Sequence, residues 1–84
     1  MSHEPAAGLA EMVTALAKGL VDHPDKVRVE ADAVGETTVL NLFVAEQDLG
    51  QVIGRGGRIA RALRLIVREA AHRSGVRASL EIVD

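Results

Sequence analysis

The apolar residues of the N-terminal segment recur at the spacing of one helix face. Between residues 5 and 21 they fall at positions i, i+3, i+4, i+7 and i+11: Leu9, Met12, Val13, Leu16 and Leu20. Pro5 suits a first helical position, whereas Pro24 disfavours a helical conformation at His23. The pattern therefore predicts an amphipathic helix that begins near Pro5 and ends near Asp22.

Three later segments have the composition and alternation of β-strands. Residues 27–33 alternate valine or alanine with charged side chains, residues 37–45 are rich in β-forming residues, and residues 76–83 alternate again. Leu40, Leu42 and Val44 would share one face of the second strand. Because only Val34-Gly35-Glu36 separates the first two strands, they are predicted to form an antiparallel hairpin.

Two helical segments lie between the second and third strands. The first covers residues 48–53 and is expected to be capped by one of the acidic residues before it. The second runs from about 57 to 73, with a predicted core stripe of Ile59, Leu63, Ile66 and Ala70. The order α-β-β-α-α-β predicts one α+β domain over residues 1–84, with its core in about 5–83. The expected architecture is a two-layer sandwich with three helices on one face of a three-stranded sheet.

A glycine-rich turn joins those two helices. Gly54, Gly56 and Gly57 fall within four residues, and Arg55 lies between them. Glycine adopts positive φ easily and lets another backbone come close. A tight turn that opens a helix also presents unpaired N–H groups at the positive end of the helix dipole, which suits a phosphate. The alternative is that these glycines only make a tight connection between two helices.

Charge is distributed unevenly along the chain, although the net charge is only −2. Residues 1–50 contain three basic and nine acidic side chains, whereas residues 51–84 contain seven arginines and three acidic side chains. Arg61, Arg64 and Arg68 recur at i, i+3 and i+7, so they form a ridge along the long helix. A sided surface of this kind is typical of a protein that binds a polyanion, although a solvated helix face with local ion pairs explains it equally well. Arg68, Arg73 and Arg77 are expected to contact solvent rather than a ligand.

Composition excludes several other functions. The chain has no cysteine, so disulfides, thiolate catalysis and cysteine-bound zinc are absent. None of its serines lies in a nucleophile motif, and the turn lacks the Lys-Ser/Thr of a nucleotide-binding loop, so we expect no enzyme and no cofactor. The histidines are scattered and are expected at the surface without a metal site: His3, His23 and His72. No apolar run is long enough to span a membrane and residues 1–5 show no secretory signal, so a cytoplasmic location is expected.

The stretch from Asp48 to Arg64 carries a family resemblance. It reads Asp-Leu-Gly-Gln-Val-Ile-Gly-Arg-Gly-Gly-Arg-Ile-Ala-Arg-Ala-Leu-Arg. A helix, a Gly-x-x-Gly turn and a second helix, flanked by strands in this order, resemble the type II KH domain of RNA-binding proteins. The closest resemblance is to the small bacterial single-KH-domain proteins of the KhpA family, and it covers essentially the whole chain.

This resemblance implies a binding site for single-stranded RNA. A KH domain holds about four nucleotides and clamps their backbone with the glycine loop. The residues that match this role, or that lie beside it, are Ile53, Gly54, Arg55, Gly56, Gly57, Arg58, Ile59, Arg61 and Arg64. Ile53 and Ile59 are expected to be buried and to form the apolar floor, and residues 37–45 are expected to form the opposite wall. Phe43 is the only aromatic residue, so we expect little stacking and weak, broad affinity.

The resemblance also implies a cellular role and a partner. It points to an RNA chaperone or post-transcriptional regulator linked to cell elongation and envelope homeostasis. It further implies a homodimer, or a heterodimer with a second KH-domain protein that is KhpB-like. Leu65 and Val67 lie off the predicted core stripe, so we expect them to make that contact. The alternative is a protein-interaction or ribosome-associated module that uses the fold mainly for dimerisation.

Overall fold

A computed structural model of the chain describes residues 5–84, with side chains described from residue 7 onward. Three α-helices and three strands follow the predicted order: α1 (Pro5–Leu20), β1 (Arg28–Val34), β2 (Thr37–Phe43), α2 (Leu49–Ile53), α3 (Arg58–Arg73) and β3 (Arg77–Ile82). Their bounds lie close to those predicted, and the largest differences are that α1 ends at Leu20 and β2 at Phe43, each two residues early. The predicted α+β fold class is therefore confirmed.

The three strands form one mixed sheet in the order β1-β2-β3. β1 and β2 pair antiparallel, as the short turn between them predicted, with Ala31 opposite Leu40. β2 and β3 pair parallel, with Leu40 opposite Leu80. The parallel pairing requires a crossover, which α2, the glycine turn and α3 supply. β2 is consequently the central strand, and β1 and β3 are the two edges.

The hydrophobic core lies between the sheet and the helices α1 and α3. Its buried side chains come from both helices and from β2 and β3: Leu9, Val13, Ala17, Leu40, Leu42, Leu63, Val67, Ala71 and Leu80. α2 packs mainly against α3 and α1. The opposite sheet face carries partly or fully exposed side chains, among them Phe43, whose ring lies 4.3 Å from the Arg28 guanidinium carbon. No helix in residues 5–84 is long and apolar enough to cross a bilayer.

The core stripe of α3 differs from the predicted one. The helix buries Ala60, Leu63, Val67 and Ala71, whereas Ile66 is 41% exposed. Both stripes have helical periodicity and share Leu63, so spacing alone does not decide between them. The buried stripe is displaced by one residue from the predicted one, and Ile59 and Ala70 pack, partly buried, against the core. Val67, predicted as a surface contact, is a fully buried core residue.

β1 is less buried than its alternating pattern predicted. Val29 is partly buried, but Ala31 and Ala33 are exposed. β1 is an edge strand, so its side chains have a neighbouring strand on one side only. Alternation in the sequence therefore identified the strand correctly but overestimated how far the helices cover it.

Candidate nucleic-acid interface

The glycine turn, residues 54–57, has a backbone that requires glycine. The Gly57 N–H donates to the Gly54 carbonyl at 3.0 Å, and the Arg58 N–H donates to the Arg55 carbonyl. Gly56 (φ 65°, ψ 17°) and Gly57 (φ 78°, ψ 15°) have the dihedral angles of the two central residues of a type I′ turn. A side chain at either position is strained by the positive φ.

Gly54 is constrained by packing as well as by its φ of 77°. A Cβ atom placed there would lie 2.6 Å from Cγ1 of Ile59 and 2.9 Å from the Ile59 nitrogen. A Cβ at Gly56 or Gly57 would meet no atom within 4 Å. The turn is therefore closed against Ile59 on its inner side and open on its outer side, where a ligand backbone has room to approach.

The two isoleucines that flank the turn have different environments. Ile59 is partly buried beneath the turn, in agreement with its expected position. Ile53, which was expected to be buried, is 37% exposed. α2 has only five residues, and Val52 is the one that points into the core, so the adjacent Ile53 remains at the surface. Ile53 thus gives the turn an apolar neighbour that solvent can reach.

The N-terminus of α3 lies directly behind the turn. Its N-cap residue is Gly57, which has no side chain to accept a hydrogen bond from the first helical N–H groups. Arg55, Gly56 and Arg58 are exposed around this end. A helix of 16 residues whose N-terminus has no side-chain cap, flanked by two arginines, is a favourable environment for a phosphate group.

The arginine ridge, Arg61, Arg64 and Arg68, continues from this end along the side of α3 that faces β3. With Leu65 and residues 78–80 it lines a groove of about 450 Å³. Nε of Arg64 donates to the Leu80 carbonyl at 3.4 Å. Within residues 7–84, none of the three arginines has an acidic partner within salt-bridge distance. The ridge therefore presents uncompensated positive charge along the groove.

The wall opposite the ridge is β3, not the strand 37–45 that the sequence led us to expect. β2 is paired on both sides, so its backbone is covered by β1 and β3. β3 is the edge strand beside α3, and Ala78, Ser79 and Leu80 form the wall. Sequence reasoning missed them because their place depends on the parallel pairing of β3 with β2. Arg68, which was assigned to solvent, also lines this groove, as its spacing from Arg64 could have suggested.

Two exposed apolar side chains of α3 lie beside the ridge and beyond it. Leu65, which also lines the ridge groove, is 49% exposed, and Ile66, outside that groove, is 41% exposed. A second groove of about 460 Å³ separates α3 from α1 and is lined by small and aliphatic side chains that include Gly19, Leu20 and Ala62. Arg58 and Ile59 of the predicted site also line this groove and not the one along the ridge. We name Leu65 and Ile66 the apolar pair. They replace Leu65 and Val67 as the exposed apolar residues of this helix.

The acidic residue before α2 does not cap that helix. Asp48 is 1% exposed and makes no side-chain bond to the helix N-terminus. Its carboxylate instead accepts hydrogen bonds from His23, whose side chain is 41% exposed rather than fully at the surface. Residues 5–84 contain no cluster of three histidine or acidic side chains that could hold a metal, and His3 lies outside the described residues.

A Gly-x-x-Gly turn between two helices, set in this element order on a mixed three-stranded sheet, defines a type II KH domain. The family model described as KhpA/KhpB, KH domain, matches residues 10–82. The chain therefore belongs to the KhpA/KhpB family of KH domains.

Relatives that share most of their length with the chain carry the name RNA-binding protein KhpA. The protein from Leifsonia xyli is 47% identical over 76 residues, which cover 90% of this chain and 97% of the relative. The protein from Treponema pallidum is 45% identical over 74 residues, covering 88% and 92%. That from Aquifex aeolicus is 45% identical over 78 residues, covering 93% and 99%.

A solved structure with a similar fold is Aquifex aeolicus Era, crystallised as a point variant with GDP and AlF4⁻. The TM-score is 0.65 and the identity 18%, over 98% of this chain. The chain spans 31% of the Era chain. This similarity concerns the fold alone.

Proposed function

We propose that the protein binds single-stranded RNA, with the glycine turn as the clamp for the RNA backbone. The observation that carries this proposal is the turn itself, which is open on its outer side and backed by a helix N-terminus without a side-chain cap. Family membership supports it, since the relatives are named as RNA-binding proteins. The family is one of binding proteins rather than enzymes, and we propose no catalytic activity.

The proposed path runs from the turn along the groove between the arginine ridge and β3. Arg55 and Arg58 would contact the phosphate at the turn, and Arg61 and Arg64 the phosphates that follow. Ile53 and Ile59 would contact the first sugar or base from below. Because the clamp is a narrow turn rather than a broad basic face, it suits the splayed backbone of a single strand better than an A-form duplex.

Binding should be weak and broad in sequence. Phe43 lies on the sheet face opposite the helices and packs against Arg28, so it does not reach this groove. Without an aromatic platform the site lacks the stacking energy of about 1–3 kcal/mol per base on which other single-strand binders depend. We propose that such a site acts on many transcripts in the cytoplasm, as an RNA chaperone or post-transcriptional regulator. The connection to cell elongation and envelope homeostasis follows from the resemblance alone.

We further propose that the domain works as a pair, either with a second copy or with a KhpB-like KH protein. A single site that grips about four nucleotides gains avidity when two sites are joined. The apolar pair, Leu65 and Ile66, lies on the same helix as the ridge, with Leu65 at the edge of the groove and Ile66 outside it, so a partner there would border the groove. The family model covers both KhpA and KhpB domains, which supports a KH-type partner.

The pairing can be tested by the double variant L65N/I66N, with V34N as a control because Val34 is 62% exposed far along the hairpin. We expect L65N/I66N to sediment as a monomer at a concentration where the parent and V34N associate. If the parent is monomeric at high concentration and recovers no KH protein from cells, this part of the proposal is wrong.

The RNA-binding proposal is tested by titrating an unstructured RNA, with a duplex RNA as competitor, at two salt concentrations. Preference for the single strand and a clear loss of affinity at higher salt would support it. Equal or tighter binding to the duplex would reject the clamp. No RNA binding, together with self-association through the apolar pair, would favour the alternative of a protein-interaction module.

A further inference from the structure

Asp48 is the one charged side chain in residues 7–84 that is fully buried. It lies immediately before α2, the short helix that ends at the glycine turn. Burial of an ionised carboxylate is costly unless hydrogen bonds replace its water. The residue does not cap α2, so the function of a helix cap does not explain its burial.

The hydrogen bonds of Asp48 come from His23, which lies 25 residues away in the sequence. The His23 backbone N–H donates to Oδ2 at 2.9 Å, and ring Nδ1 lies 3.0 Å from Oδ2 and 3.2 Å from Oδ1. An ionised carboxylate only accepts hydrogen bonds, so Nδ1 carries the hydrogen and donates. His23 follows α1 and precedes Pro24, which restricts its backbone. The Asp48 carboxylate thus binds both the ring and the backbone N–H of His23, in the connection between α1 and β1.

The position of the glycine turn depends on α2, a helix that is too short to be stable without tertiary contacts. α2 has five residues, and a helix of this length has little stability without tertiary contacts. Val52 is its one buried side chain, and the Gly54 N–H donates to the Gly50 carbonyl at 2.9 Å where the helix ends. Val52 therefore anchors the end of α2, whereas Asp48 anchors its start.

We propose that the His23–Asp48 pair is a positioning device that fixes α2 and thereby holds the glycine turn in its RNA-binding geometry. This inference rests on the proposed RNA-binding function of the turn, and neither residue touches the groove. If the pair is broken, α2 samples other positions and the turn is competent for only a fraction of the time. The apparent affinity then falls to that fraction of its original value.

The charge of Asp48 and its proposed positioning role predict opposite effects of the D48A substitution on RNA affinity, so the inference can be tested. Removal of an acidic side chain from an RNA-binding domain strengthens binding if only long-range electrostatics matters. Loss of a positioning residue weakens it. Asp25 is an exposed residue of the same α1–β1 connection, so D25A changes the net charge identically without touching the pair.

The experiment compares D48A, D48N, H23A and D25A with the parent in two assays. One measures affinity for an unstructured RNA, and the other measures amide hydrogen exchange at Gly54 and, as a global reference, at Leu40 in the central strand. D48N keeps an oxygen that accepts from the His23 N–H, so it is the conservative variant. H23A alters a half-exposed side chain and keeps the backbone hydrogen bond, so it should fold even if D48A does not.

We expect D48A to bind RNA about tenfold more weakly, as for a turn that is competent about a tenth of the time. Exchange should accelerate at Gly54 but not at Leu40. H23A should show the same effects to a smaller degree, D48N should retain most of the affinity, and D25A should bind at least as tightly as the parent.

Three results would overturn the inference. One is affinity and Gly54 exchange in H23A and D48A equal to those in D25A. Another is weaker binding without faster exchange at Gly54. The third is equal acceleration at Gly54 and Leu40, which would mean a general loss of stability. If the parent itself binds no RNA, the proposed function fails, but the exchange data still decide whether the pair holds the turn.

Discussion

Replacing Arg55 and Gly56 together by aspartate tests the proposed phosphate clamp most directly. R55D/G56D keeps Gly54 and Gly57 and places two carboxylates on the open side of the turn. The matched control is R55N/G56N, which has the same shape and the same backbone demands but no added negative charge. Because asparagine and aspartate both tolerate the left-handed region better than other residues, the two variants isolate the effect of charge.

The structure limits how far these substitutions can lower the stability of the fold. Gly56 has a φ of 65°, and a Cβ there meets no atom within 4 Å. Either side chain therefore carries only backbone strain of about 1–2 kcal/mol, which should be nearly equal in the two variants. Gly54, whose Cβ position is occupied by Ile59, is unchanged. Both variants should remain folded with similar melting temperatures.

The effect on RNA binding is expected to be larger than the effect on stability. R55D/G56D removes one positive charge and adds two negative ones beside the phosphate. A charge-assisted hydrogen bond is worth about 1.5–3 kcal/mol, and a like charge at about 4 Å costs about 1 kcal/mol even in bulk water. We expect a loss of at least about 2 kcal/mol, or about thirtyfold in affinity. R55N/G56N loses the arginine alone, so its affinity should fall only about tenfold, or about 1.5 kcal/mol.

A fluorescence titration with a short unstructured RNA measures both affinities, and circular dichroism with a melting curve confirms that both variants are folded. If folded R55D/G56D binds RNA as tightly as the parent, the glycine turn is not the clamp. If the two variants weaken binding equally, the loss comes from the backbone at Gly56 and not from charge, and the electrostatic reasoning is wrong.

Three further predictions concern the same site and the core beneath it. With about three phosphate contacts, the log–log salt slope should be near −2, so a fourfold rise in salt weakens binding roughly twentyfold; R64Q should reduce the slope by about 0.7, whereas R73Q, outside the groove, should not. G54A should lower the melting temperature more than G57A, because only the first adds a clash with Ile59 to the strain of a positive φ; equal melting temperatures would contradict that packing. V67A should lower the free energy of unfolding by about 1.5–3 kcal/mol and I66A by less than about 0.5 kcal/mol. Chemical denaturation measures both values, and the reverse order would support the core stripe that the sequence predicted.

The sequence by itself determined the elements and the turn. Helical spacing, strand alternation and the positions of proline and glycine are local properties, because a backbone conformation depends mainly on the residue and its neighbours. The bounds of α3 and the hairpin of β1 and β2 were therefore predicted closely. The glycine-rich composition also indicated a turn that can adopt positive φ, and Gly54, Gly56 and Gly57 all have it.

Only the tertiary structure decided which residues meet. Ile59 and Ile66 have the same helical spacing as the buried residues of α3, and only close packing against the sheet and α1 selects Val67. The strand that lines the groove is β3 rather than the predicted β2, because strand order is set by the crossover and not by strand propensity. His23 and Asp48 carried no local signal, since their hydrogen bonds join residues 25 positions apart. Contacts of this kind depend on how whole helices and strands pack, so residue type and local spacing do not reveal which donor a buried carboxylate will have.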